Sequence, residues 1–117
     1  MAKYEHLPIY KKAFDLNVYF EKIIRNFSRY HKYTLGTEMR EHARKIVKLI
    51  AKANSEKNKK ELLLELRDKV EELKLVIRLC KELKVFNNFN SFQLSLNYVI
   101  DIAKQNEGWI KSLEYKK

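Results

Sequence analysis

The sequence predicts an all-α fold: an antiparallel up-down-up-down four-helix bundle forming one domain over residues 1–117. Three observations predict it. Of 117 residues only two are glycine and one is proline, far too few for the turns of a β-sandwich or a doubly wound sheet. Hydrophobic residues make up 45% of the chain, enough for a core and too many for a disordered tail. Those residues recur at alternating steps of three and four, the period of one helix face.

The first helix is expected from about Leu7 to Phe27. Pro8 suits a first helical turn, where its missing N–H is no loss. Ile9, Ala13, Leu16, Phe20, Ile23 and Phe27 form its inner face. Ser28 to Tyr33 breaks the pattern, and Thr34 is the expected N-cap of a second helix reaching about Ala53. Leu35, Met39, Ala43, Ile46, Ile50 and Ala53 make its stripe. After a loop from Asn54 to Lys57, Asn58 and Glu61 stand at capping-box spacing and open a third helix to about Lys84. Leu62, Leu66, Val70, Leu73, Ile77, Cys80 and Leu83 line it. Val85 to Phe89 ends it, and Asn90 with Gln93 repeats the capping spacing. The fourth helix reaches about Leu113, with Phe92, Leu96, Val99, Ala103, Ile110 and Leu113 inward. The tail Tyr115-Lys116-Lys117 is expected to fray.

Charge is the second strong signal. The chain carries 25 Lys and Arg against 15 Asp and Glu, a formal charge of +10. Residues 1–60 hold 15 and 6 of these, and residues 61–117 hold 10 and 9, so nearly the whole excess sits in one half. A field of this kind selects polyanions: nucleic acid, a membrane surface or an acidic protein. The lone cysteine, Cys80, allows no intrachain disulfide. No run approaches the ~18–20 apolar residues of a membrane span, and Met1 to His6 lacks the apolar segment of a signal peptide. The expectation is a soluble cytoplasmic protein.

Catalysis is not expected. Di-metal bundles need inward carboxylates and Glu-x-x-His spacing, and the sequence has neither on its stripes. His6, His31 and His42 have no partner at ligand spacing. Cys80, on a core stripe, reads as a small hydrophobe. There is no phosphate-binding glycine loop and no nucleophile elbow. Neither metal nor cofactor is expected.

At ~100° per residue, Arg40, Arg44, Lys48 and Lys52 step along the outer face of the second helix, flanked by Lys45 and interrupted by Glu41. Arg25, Arg29 and Lys32 continue the basic region at the end of the first helix. On the third helix Arg67, Lys74, Arg78 and Lys81 fall within roughly 60° of one another. A one-signed helical face fits a phosphate backbone, whose counterions it displaces. No helix-turn-helix or finger is present to read bases, so backbone-dominated binding to RNA, DNA or both is expected. A membrane reading wants Trp and Phe beside the basic face, and Trp109 lies on another helix. No membrane partner is expected.

A second surface is apolar. Tyr10, Phe14 and Val18 step by four opposite the core stripe of the first helix, and Leu64, Leu75 and Leu79 do the same on the third. Aligned apolar residues of this kind predict an oligomer or partner interface.

Four segments in order resemble the accessory variability determinant (Avd) family. They are Leu7-Pro8-Ile9-Tyr10-Lys11-Lys12-Ala13-Phe14-Asp15-Leu16, Phe27-Ser28-Arg29-Tyr30-His31-Lys32-Tyr33-Thr34-Leu35-Gly36, Arg78-Leu79-Cys80-Lys81-Glu82-Leu83, and Gly108-Trp109-Ile110-Lys111-Ser112. Ser28 stands where that family usually has Pro, and Glu107 replaces its first closing Gly. The related ribosomal-RNA intervening-sequence proteins share the bundle, but their Ser-Ile-Pro-x-Asn-Ile-Ala-Glu-Gly type segment has no counterpart in Ile46 to Asn54. The resemblance implies a non-catalytic accessory factor of a diversity-generating retroelement, bacterial or phage-encoded. It implies a basic homopentamer that binds a reverse transcriptase together with template RNA or its cDNA. The alternative is a bundle associated with the ribosome or ribosomal RNA.

Overall fold

The computed structural model describes residues 3–114. A 3-10 turn at Lys3–His6 leads into α1 (Pro8–Ile24), a single turn α2 (Arg29–Lys32), α3 (Leu35–Ser55), α4 (Lys60–Glu82) and α5 (Phe89–Glu114). Among the described residues there is no strand. The expected fraying tail, Tyr115 to Lys117, lies outside the described residues. The four long helices form the bundle. α3 packs between α1 and α4, and α5 closes the ring by packing on α4 and α1. Thus α1 and α4 stand diagonally across the core, as do α3 and α5. The body measures 50 × 28 × 21 Å, set by helices rising ~1.5 Å per residue.

Each boundary has a local cause. Leu7 is held extended ahead of Pro8, with φ −77° and ψ 130°, because a residue before proline avoids the helical region. α1 stops at Ile24, short of the expected Phe27, because Asn26 and Phe27 donate to Ile23 and Ile24 carbonyls at 3.0 Å and tighten the last turn. That turn drops Phe27 into the core. Thr34 precedes α3 as expected but does not cap it. Its hydroxyl donates instead to the Tyr30 carbonyl at 2.8 Å. The Asn58 capping box does not form either, since Lys59 is the residue ahead of α4 and makes no side-chain cap. Lys59 instead closes the preceding helix: its ammonium donates to the carbonyls of Ala53, Asn54 and Glu56 at 3.0, 3.1 and 2.6 Å, where α3 exposes its negative dipole end. Asn88, not Asn90, caps α5, accepting from the Ser91 amide at 2.8 Å.

α4 ends in a Schellman turn. Lys84 is left-handed at φ 58°, Val85 N–H donates to Cys80 O at 2.9 Å, and Lys84 N–H donates to Lys81 O at 3.1 Å. Buried Val85 follows the turn, and Leu83, expected inward, is left half-exposed.

The core holds the expected stripes of α1 and α3 almost residue for residue, with Ile24 fully inward where Ile23 was expected. α5 is rotated by about one residue relative to the expected face. Ser95, Val99, Ile102, Asn106 and Ile110 are buried, while Phe92, Leu96, Ala103 and Leu113 are half-buried. Asn106 can turn inward because its amide donates to the Leu63 carbonyl of α4 at 3.0 Å. Asn17 ties the opposite seam, donating to Ala13 and Ala43 carbonyls at 2.9 Å.

The two glycines differ in what surrounds them. A Cβ on Gly36 would meet Ile24 Cγ2 at 2.9 Å and the His31 carbonyl oxygen at 3.1 Å, whereas one on Gly108 would meet nothing within 4 Å. Gly36→Ala is therefore expected to destabilise by about 1–2 kcal/mol. Gly108→Ala should stabilise by about 0.5–1 kcal/mol through helix propensity. Urea denaturation of the two variants beside the parent checks this, and a shift of the same sign in both would contradict it.

Candidate nucleic-acid interface

Burying one stripe per helix fixes which charges face outward and which meet across a seam. At the α1–α3 seam, Arg40 donates to both oxygens of Glu21, through Nε at 2.7 Å and Nη2 at 2.8 Å. Arg44 stands 3.8 Å from the same carboxylate. At the α3–α4 seam, Lys45 approaches Glu65 at 3.6 Å, and His42 lies 3.9 Å from Glu72. At the α4–α5 seam, Arg67 makes a second two-pronged contact, with Glu107 at 2.7 and 2.8 Å, while Lys74 pairs with Glu71 at 2.8 Å on its own helix.

The twelve sequence-predicted cations therefore divide. Arg40, Arg67 and Lys74 are engaged by carboxylates at hydrogen-bond distance, and Arg44 and Lys45 more loosely. Lys81 sits over the ring of Phe92 at 5.1 Å. Arg25, Arg29, Lys32, Lys48, Lys52 and Arg78 have no acidic partner among the described residues. The α4 stripe is consequently not a continuous cationic surface. It lines a groove with Lys104 and Lys111 of α5, but Glu71 and Glu107 line it too. Apart from Arg78, the predicted cations without an acidic partner fall in two places, Lys48 and Lys52 on the outer face of α3, and Arg25, Arg29 and Lys32 at the α1–α2–α3 junction. There Arg25, Lys32 and Arg40 border a cleft of about 270 Å³ with Glu21. Lys84, Lys104 and Lys111 are cations that helix-by-helix counting overlooked, because only the fold brings α5 and the turn beside α4.

The apolar ridges also sort. Phe14 is 52% exposed and Val18 is exposed beside it, while Tyr10 is half-buried with its ring 6.1 Å from that of Phe14. Leu75 is 68% exposed, and Leu79 and Leu83 continue its line. Leu64, expected to be exposed with them, is half-buried against the core. Because α1 and α4 are diagonal, the ridges occupy opposite sides of the bundle.

Burial, and to a lesser extent Glu38, pushes the Cys80 thiol up to about 12, so it stays protonated near neutrality. Its sulfur lies 3.9 Å from that of Met39 in the core. Among the described residues, no three His, Cys, Asp or Glu are grouped to hold a metal ion. No described helix is long and apolar enough to cross a membrane.

Fold and surface together define a small basic helical bundle. A comparison with known families places it more narrowly. Residues 7–113 match the bAvd-like family, and the chain belongs to that family, whose members are accessory and non-catalytic. No curated protein matches the chain significantly.

Glu107, which stands where the family pattern usually has glycine, is thus a working part of the α4–α5 seam. Its hydrogen bonds from Arg67 hold its carboxyl below the usual range, and Arg67 is raised in turn, chiefly by the same bonds. The folded-state value is lowered, so the pair's stabilisation is complete above the ordinary carboxylate range. It is lost as pH falls through the lowered Glu107 value. A carbon-detected NMR titration should show the Glu107 midpoint move up in Arg67→Met. An identical midpoint in both proteins would mean the pair does not form.

Proposed function

We propose that this chain is the nucleic-acid-binding accessory subunit of a diversity-generating retroelement, serving a reverse transcriptase during mutagenic copying of template RNA into cDNA. The observation that carries the proposal is family membership over residues 7–113, joined to cations, Arg25, Arg29, Lys32, Lys48 and Lys52, that have no acidic partner among the described residues. Phosphates of RNA or cDNA would lie along Lys48 and Lys52 and reach the junction at Arg25, Arg29 and Lys32. About five such contacts to a single strand give a salt slope near −3.5, so affinity should fall roughly 100-fold between about 50 and 200 mM salt. Replacing Arg29, Lys48 and Lys52 together with Glu should abolish RNA binding while circular dichroism stays unchanged. Unaltered affinity would locate the nucleic acid elsewhere. Arg40 is the wrong residue for such a test, because reversing it would set two carboxylates together at the α1–α3 seam. Co-purification with the reverse transcriptase tests the partner, and recovery with ribosomes instead would favour the ribosomal alternative.

The two ridges support a homo-oligomer, a pentamer by family resemblance. They are different surfaces on opposite sides, which is the arrangement of a head-to-tail interface that can close into a ring. Leu75→Ser/Leu79→Ser and Phe14→Ser should each reduce the assembly to monomer by size-exclusion chromatography with light scattering. A parent protein that is already monomeric would remove the homo-oligomer from the proposal.

A further inference from the structure

We propose that the end of the bundle formed by the α1–α3 junction and the α4–α5 turn is a stacking platform for unpaired bases, so that this chain holds single-stranded nucleic acid there. The inference rests on the nucleic-acid reading above and narrows it. Three aromatic rings stand out at this end: Tyr30, 74% exposed, Tyr33, 70%, and Phe89, 63%. Tyr30 lies in α2, Tyr33 follows it, and Phe89 opens α5.

The fold joins these segments. Asn87 donates from Nδ2 to the Asn26 carbonyl at 2.8 Å. Phe27 meets Phe86 edge-on at 5.9 Å, Phe86 meets Phe92 at 5.9 Å, and Phe92 meets Phe89 at 5.6 Å. Phe89 is thus the outer end of a chain of rings whose inner end, Phe27, is buried in the core. It is a supported surface and not a stray side chain.

Lys81 Nζ stands 6.0 Å from the centre of the Phe89 ring, and the segments that carry the rings are rich in cations. Residues 22–34 and 78–92 carry seven Lys or Arg and a single carboxylate, Glu82. Lys84 occupies a left-handed turn, at φ 58°, a conformation that glycine adopts without strain. The nearest carboxylate on α3, Glu38, lies one turn into that helix.

The combination selects a ligand. The interior of a protein interface is depleted in charge, so a lysine-rich ring cluster is a poor seat for another protein. The apolar ridges of α1 and α4, at Phe14, Val18, Leu75 and Leu79, are the better seat. A nucleic-acid strand supplies a phosphate for each cation and a flat base for each ring. A duplex hides its base faces, so only unpaired nucleotides use both features.

The test compares a fluorescent oligouridylate of about 15 nucleotides with a duplex RNA of equal length, using Tyr30→Leu, Tyr33→Leu and Phe89→Leu. All three side chains are exposed, so unchanged thermal melts are expected. Single-strand affinity should fall by about tenfold per ring and duplex affinity by less than about twofold. A 2-aminopurine placed in the strand should change fluorescence on binding the parent and not on binding the variants. Phe89→Trp should restore both signals. Equal losses for single strand and duplex, or no loss for the single strand, would overturn the platform while leaving the nucleic-acid reading intact. A parent protein that binds neither form would bring down both.

Discussion

The rest of this structure depends on the rotation each helix adopts to bury its apolar stripe. Once Leu16, Ile46, Leu73 and Ile102 face one another, every other side chain on those helices has its direction assigned. Burying a large aliphatic side chain is worth about 1.5–3 kcal/mol, whereas an exposed ion pair is worth about 0–1 kcal/mol. The core therefore sets the rotation and the charges accept it. The surface is a consequence of packing, and its sign pattern follows from where acids fall relative to the seams.

That pattern has a simple logic. Glu21, Glu65 and Glu107 stand at three different seams, each against a cation of the neighbouring helix. Acids at seams neutralise the cations beside them and leave outward ones alone. A net charge of +10 is thereby concentrated on part of the surface rather than diluted over all of it. Two polar ties, half-buried Asn17 to α3 and buried Asn106 to α4, fix register between neighbours that aliphatic contact alone would leave free to slide. A buried amide held by one carbonyl adds little net stability. Its value lies in making the alternative registers worse, because each would leave that amide without a partner.

Helix number, order and inner faces were legible in the sequence because they depend on apolar periodicity, which is local. The misreadings have separate causes. α5 presents Ser95 and Asn106 to the core, and a reading that admits only apolar residues inward rotates the helix away from them. Leu83 fits the stripe of α4 by spacing, yet the Schellman turn ends the helix there and sends Val85 inward in its place. A lysine at the left-handed position gives no sequence warning, since glycine is the residue usually found there. Basic faces were legible as faces. Which cations remain unopposed was not, because Glu107 lies 40 residues from Arg67 and 19 residues separate Glu21 from Arg40.

The diagonal placement of α1 and α4 bears directly on how one small bundle can assemble and bind at once. In an antiparallel bundle linked by short loops, consecutive long helices are neighbours, so the first and third must be diagonal. Ridges on those two helices are thus directed to opposite sides by connectivity alone, and a ring built through them consumes two sides of each subunit. The outer face of α3, the corresponding face of α5 and both ends of the bundle stay open. Lys48 and Lys52 lie on the first of these, and Tyr30, Tyr33 and Phe89 lie at one end. Repeating such a subunit around a ring would set each basic face and each aromatic end at a regular interval. Weak contacts to one strand would then add through effective concentration, with no single subunit needing high affinity.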